Sequence, residues 1–233
     1  MTSRQDTVLL HLVPDPGPGL PLAPLLADLS PAERLRADTC RDADTRRRYV
    51  LAHAALRRLL AERLGTAPAE LRWRHGPHGK PALPGDGPRF NLSHSGAFAL
   101  VALSPARPVG VDIQRVLPRT DTAALADRYF PPEEARRVRS AADPAGCFAR
   151  LWAGKEALVK AHGGRLVEGL RVPLEDTPAP APEDAWSLAY RVAPVPAPPG
   201  YHAAVALAGT APFRVTARRW AWPRAGSSAD GHG

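Results

Sequence analysis

The apolar positions of the chain fall into two runs of similar order. Val8 to Val13 is apolar except for His11 and reads as a first strand. A Pro/Gly-rich loop, Pro14 to Pro24, follows. Next comes a short helix after Ser30-Pro31, where serine can cap and proline can take the first helical position. From Asp44 to Leu64, residues Tyr49, Ala52, Leu56, Leu59, Leu60 and Leu64 recur at helical spacing, and Gly65 ends the helix. Three extended segments come next, Leu71 to Arg74, Arg89 to Leu92 and Phe98 to Leu103, separated by Gly/Pro turns.

The second run repeats this order. A strand, Val109 to Val116, leads into helices at Ala123 to Tyr129 and Pro132 to Ser140. A longer helix, Pro144 to His162, stops at Gly163-Gly164. Extended segments are expected at Trp186 to Val192, Tyr201 to Leu207 and Phe213 to Trp220, with Pro/Ala-rich loops at Pro173 to Pro182 and Ala193 to Gly200. The pattern predicts an α+β fold of two similar lobes related by a pseudo-twofold, each a small antiparallel sheet packed against a long helix. The expected division is residues 1–107 for the N-terminal lobe, 108–222 for the C-terminal lobe and 223–233 for a disordered tail.

Composition narrows the function classes. No stretch approaches the ~18 apolar residues of a membrane span, and the apolar run at the N-terminus is too short for a secretory signal. Cys40 and Cys147 lack metal-type spacing and suggest reduced thiols, hence a cytoplasmic location. The net charge of +8 calls for an acidic partner: nucleic acid, a phosphorylated ligand or an acidic protein surface. All but three of the 31 basic residues are arginine. The chain also holds single Asn, Ile and Met residues, as expected under drift towards GC-rich codons. Lysines that persist at 80, 155 and 160 point to a need for a compact ammonium in place of a planar guanidinium.

Those lysines lie beside the other candidate groups. Alternation in the strand GVDIQRV puts Val109, Val111 and Ile113 on one face and Gly110, Asp112 and Gln114 on the other. In the helix containing WAGKEALVK, residues Trp152, Lys155, Glu156, Val159 and Lys160 share a broad face by their i, i+3, i+4 spacing. A surface Glu156–Lys160 pair would be the bland alternative. Asp112 and Glu156 together make a plausible site for a hard cation, because Mg²⁺ takes few carboxylates and completes its shell with water and phosphate oxygens. Lys160, one turn beyond Glu156, would offer a point charge to the same phosphates. Upstream, GPHGKPAL presents Lys80 in a turn, and RFNLSHSG ends a strand at Ser93, His94 and Ser95. Adjacent strand residues face opposite ways, so Ser93 and His94 do not read as a nucleophile–base pair.

Taken in order, GKP, NxSHS, GVDI and WxxKEAxxK resemble the Sfp-type 4′-phosphopantetheinyl transferases over roughly Arg47 to Gly164. The Trp and KEA form resembles the branch that serves secondary-metabolite synthases. The resemblance implies transfer of the phosphopantetheine arm of coenzyme A to a serine of an acidic acyl or peptidyl carrier protein, with release of adenosine 3′,5′-bisphosphate. It implies Mg²⁺ on Asp112 and Glu156, and Lys160 on the pyrophosphate. Coenzyme A contacts are implied at Lys80, Ser93, His94 and Lys155, and at Arg48 with His53 as its competitor. The N-terminal lobe would then bind coenzyme A, and the C-terminal lobe would hold the metal and catalytic residues. Glu156 is the candidate base, with a metal-bound water preferred because a cation depresses the basicity of its own carboxylate ligand. Family members often carry a second strand carboxylate where this chain has Gln114, an oxygen donor without charge that is expected near the metal. Ala126 to Arg137 is the expected carrier-docking segment, and two lobes in one chain suggest a monomer. A different Mg²⁺-dependent hydrolase or nucleotidyl transferase could use the same carboxylates. A nucleic-acid-binding module has charge alone in its favour, so no nucleic-acid partner is expected.

Overall fold

The computed structural model describes residues 6–174 and 190–223. Its elements in chain order are β1 (Asp6–Pro14), α1 (Ala23–Asp28), α2 (Pro31–Asp38), α3 (Ala43–Leu64), β2 (Arg74–His75), β3 (Pro81–Ala82), β4 (Arg89–Ser95) and β5 (Phe98–Ser104). Then follow β6 (Val109–Arg115), α4 (Thr122–Tyr129), α5 (Pro132–Ser140), α6 (Pro144–His162), α7 (Leu166–Gly169), β7 (Tyr190–Val195), β8 (Tyr201–Ala208) and β9 (Phe213–Arg219). The α+β class and both long helices match the sequence expectation. The short helix α1 was not expected and takes up the last two residues of the expected Pro14–Pro24 loop, and α7 was not expected either. Expected strand residues 186–189, most of the 173–182 loop and most of the tail lie outside the described residues.

The side-chain alternation of the strands builds the layers. In β1, Val8 and Leu10 face the second sheet, while Leu9 and Val13 face α3. In β6, Val109, Val111 and Ile113 close that inter-sheet core with Leu100, Ala102, Val205 and Leu207. The second sheet's other face, Ala204, Ala206 and Ala208, receives α6 through Ala153, Ala157 and Ala161. The order of layers is therefore α3, first sheet, second sheet, α6, with apolar residues of period two filling each gap.

Strand order in the first sheet is β4-β5-β1-β9 and in the second β6-β8-β7. The membership of β9 differs from the reading of the sequence. β9, expected as the third strand of the second half, runs parallel to β1, with Leu9 opposite Thr216. The other pairings in both sheets are antiparallel. β9 brings Phe213 and Val215 to the inter-sheet core, an apolar gain that local sequence does not reveal.

Candidate active site

The position of the site follows from small residues. A Cβ on Gly110 would lie 2.0 Å from the Ala157 carbonyl oxygen and 2.3 Å from the Ala161 nitrogen. The glycine therefore lets α6 rest directly on β6. Asp143 caps the start of α6 by accepting from the Gly146 N–H at 2.9 Å, and Gly163 ends it at a φ of 82°, in the left-handed region that favours glycine. Close packing of this helix on this strand brings Asp112 to Lys160.

β6 is an edge strand, and its outward N–H groups are met by side chains of β4. Asn91 Oδ1 accepts from Val111 N at 2.9 Å, Ser93 Oγ from Ile113 N at 3.4 Å and Ser95 Oγ from Arg115 N at 3.1 Å. This ladder of period two satisfies two buried donors, at Val111 and Ile113, that would otherwise be unpaired, and it fixes β4 against the strand that carries Asp112. The polar residues at 91, 93 and 95 within a half-apolar strand were its sequence signal. The sequence reading took part of this motif for ligand contact and missed the structural role of Asn91.

Asp112 is 3% exposed, which makes its surroundings decisive. Its Oδ1 accepts from Ser93 Oγ at 2.5 Å and from Lys160 Nζ at 2.6 Å. Its Oδ2 is buried without a hydrogen-bond partner. Lys160 Nζ also lies 3.1 Å from Glu156 Oε2, while Glu156 Oε1 accepts from Trp152 Nε1 at 2.9 Å. Burial and the nearby Glu156 push the Asp112 carboxyl up to about 6 against the pull of Lys160. Burial alone would lower the Lys160 ammonium, but Asp112 and Glu156 outweigh it and raise its pKa.

His94 points the other way from Ser93, as alternation requires. It shares a small cleft with Arg48, Leu51 and Phe98 on the α3 side of the sheet. Burial, then its basic neighbours His53, Lys160 and Arg48, hold its pKa below the ordinary value. Arg48 makes no ion pair with any carboxylate among the described residues; its Nε donates to the Asp44 carbonyl at 3.1 Å. The competing His53 instead stacks on Tyr49 at 4.0 Å and meets Glu33 at 3.4 Å.

Lys80 donates to the carbonyls of Val109 at 3.1 Å and Ala161 at 2.9 Å, clasping the β2–β3 hairpin to the start of β6 and the end of α6. Burial, then the Arg89 charge, brings its pKa down to about 8. An open cleft lies beside it, lined also by His78, Asn91, Lys160 and Gly163. Gln114 is half-buried opposite His202 on β8, and its amide donates to the Arg115 carbonyl at 3.3 Å.

Lys155 lies elsewhere. It is fully buried, with Nζ 2.6 Å from Glu134 Oε2 in an ionic contact that lacks hydrogen-bond geometry, and it donates to the Val172 carbonyl at 2.5 Å. The structure thus joins Asp112, Glu156 and Ser93 through Lys160, sets Arg48 and His94 on one cleft, and engages Lys155 in the packing of α5 on α6.

The donor set suits a hard divalent cation. Two carboxylates are present, one of them offering an unpartnered buried oxygen, and no group of three or more His, Cys, Asp or Glu residues suited to a metal occurs among the described residues. Softer metals held by thiolate or imidazole clusters find no such set there.

Sequence comparison gives the class. The chain is an enzyme of the transferase class: the sequence model of the 4′-phosphopantetheinyl transferase superfamily matches residues 108–206. It is 34% identical to the 4′-phosphopantetheinyl transferase HetI of a Nostoc species over 199 residues, which are 81% of this chain and 84% of HetI. It is 26% identical to the 4′-phosphopantetheinyl transferase Sfp of Bacillus subtilis over 151 residues, or 63% of this chain and 64% of Sfp. A Synechocystis protein shares 36% identity over 153 residues, and the match spans 62% of that protein's length. The chain belongs to the 4′-phosphopantetheinyl transferase superfamily.

Proposed function

We propose that this chain transfers the 4′-phosphopantetheine group of coenzyme A to a serine hydroxyl of an apo carrier protein. The carrying observation is the contact set of Asp112, Glu156 and Lys160 at the edge of a basic cleft, with one Asp112 oxygen left unpartnered. In the reaction, the serine oxygen forms a bond to the β-phosphorus of coenzyme A. The bond from that phosphorus to the bridging oxygen breaks, and adenosine 3′,5′-bisphosphate departs with the electron pair.

Asp112 and Glu156 would hold Mg²⁺. When bound, the ion supplies charge neutralisation at the phosphate oxygens. Trp152 fixes the rotamer of Glu156 through its indole N–H. Glu156 is the group towards which the serine proton leaves, directly or across one water. Lys160, whose ammonium meets Asp112, Ser93 and Glu156, would turn a donor to the pyrophosphate on giving up Glu156, and Lys80 has one N–H left after its two carbonyl contacts to offer the cleft. Arg48 and His94, on the other side of β4, suit the 3′-phosphate. Gln114 would stand near the metal shell. The net charge of +8 favours encounter with an acidic carrier surface, with Ala126 to Arg137 as the docking segment of a monomeric enzyme.

The test is incubation with coenzyme A, Mg²⁺ and an apo carrier protein, followed by intact-mass measurement. The carrier should gain one phosphopantetheinyl group, lose that gain when a chelator replaces Mg²⁺, and show none with Glu156→Ala. An unmodified carrier with the wild-type chain removes this reading. Near-wild-type turnover of Glu156→Ala removes Glu156 from the site.

A further inference from the structure

Ser93 was expected among the coenzyme A contacts, yet its bonding leaves nothing to offer a ligand. A hydroxyl has one proton to give and two lone pairs to receive with. Ser93 Oγ gives its proton to Asp112 Oδ1 at 2.5 Å, and accepts from Lys160 Nζ at 3.1 Å and from the Ile113 N–H at 3.4 Å. The side chain is buried and all three capacities are used. The Ile113 contact belongs to the β4–β6 ladder, so the position of the hydroxyl is set by two strands at once.

The consequence falls on Asp112. Ser93 and Lys160 both engage Oδ1, which leaves Oδ2 buried and without a partner. A buried polar atom left unpaired forfeits its hydration with no compensating bond. Its retention beside Glu156 and Lys160 points to a ligand for that oxygen. Without the Ser93 hydroxyl, the carboxylate could turn until both oxygens met the Lys160 ammonium, and neither would be free.

We propose that Ser93 is a positioning residue: it fixes the Asp112 carboxylate by Oδ1 so that Oδ2 is the oxygen presented to the divalent cation. This rests on the reading of Asp112 as a metal ligand. Hydrogen-bond partners of metal ligands generally set ligand orientation, and their loss costs roughly 10–100-fold in affinity.

The test uses Mn²⁺ as probe, with binding read from the electron paramagnetic resonance signal of the free ion at saturating coenzyme A. Coenzyme A binding is measured separately by calorimetry in EDTA, and folding by thermal melts. Ser93→Ala should weaken Mn²⁺ binding about tenfold or more, while coenzyme A affinity in EDTA, which the hydroxyl reaches only through Lys160, changes far less. Ser93→Thr, which keeps a hydroxyl, should restore most of the Mn²⁺ affinity. If Ser93→Ala does not fold, Ser93→Cys, similar in size and a weak donor, is read by the same criteria. Unchanged Mn²⁺ affinity overturns the proposal. So does a loss of coenzyme A affinity in EDTA as large as the loss of Mn²⁺ affinity, which would put the effect of the hydroxyl on coenzyme A and not on the cation. Asp112→Asn separates the two levels: if it binds Mn²⁺ as the wild type does, the metal reading of Asp112 falls, and the role of Ser93 falls with it.

Discussion

Replacement of Lys155 by methionine should unfold the protein at a markedly lower temperature. The ammonium is fully buried, with Nζ 2.6 Å from Glu134 Oε2 and 5.1 Å from the centre of the Phe130 ring, and it donates to the Val172 carbonyl. Glu134 in turn accepts from the Leu174 N–H at 2.7 Å through its other oxygen. One ion pair therefore joins α5, α6 and residues 172–174. Methionine keeps most of the volume but strands a buried carboxylate, a change that costs roughly 3–5 kcal/mol when one partner of such a pair is removed. At roughly 2–4 °C per kcal/mol for a chain of this size, the melting temperature should fall by about 6–20 °C. The assay is thermal unfolding by circular dichroism at neutral pH. Adding Glu134→Gln to Lys155→Met removes the stranded charge while keeping an acceptor for Leu174, and should recover more than half of the loss. A single variant that melts within a degree or two of wild type refutes the reasoning. So does a double variant no more stable than the single.

Two further outcomes follow from other contacts. Gly110→Ala places a methyl group inside the backbone of α6, so it should lower the melting temperature and abolish transfer by moving Lys160 from Asp112; unchanged melting and turnover would show that the helix can yield. Burial would raise the Glu33 carboxyl, but bonds from His53, Trp73 and Ser30 and the Arg57 charge hold it well below its ordinary 4.5. A depressed carboxyl contributes stability that is present above the unfolded-state value and lost as pH falls below it. Wild type should lose stability on acidification from about pH 4.5, and urea titrations of Glu33→Gln should show a flatter dependence there, at a lower neutral-pH stability.

The parts of the fold visible in the sequence were those set by local chemistry. α3 and α6 carried helical spacing with an aspartate or proline at the start and glycine at the end, and each helix occupies nearly the range expected. The facing of β6 was equally plain, since Val109, Val111 and Ile113 could serve only a core. For the site, Asp112, Glu156 and Lys160 were legible because helix period and strand period each put them on one face. What lay across from a face was not. Lys155 shared the expected broad face of α6, but α5 supplied Glu134 and drew it into the interior. Ser93 was legible as facing away from His94, yet nothing local said that β6 would exhaust its hydroxyl. The partner of β9 was hidden for the same reason, because strand pairing is a long-range property.

That pairing has a consequence for how the molecule is made. β1 leaves the ribosome before the other strands of the two sheets, whereas β9, its parallel neighbour, follows all of them. Until then one edge of β1 has its hydrogen-bonding groups open, as a template for strands of other nascent chains. β5 can close the opposite edge early, since it follows within the first half and pairs antiparallel. Completion of the first sheet therefore waits until the strands of the second have been made, and holding that edge in solution until then is a task for chaperones or for speed.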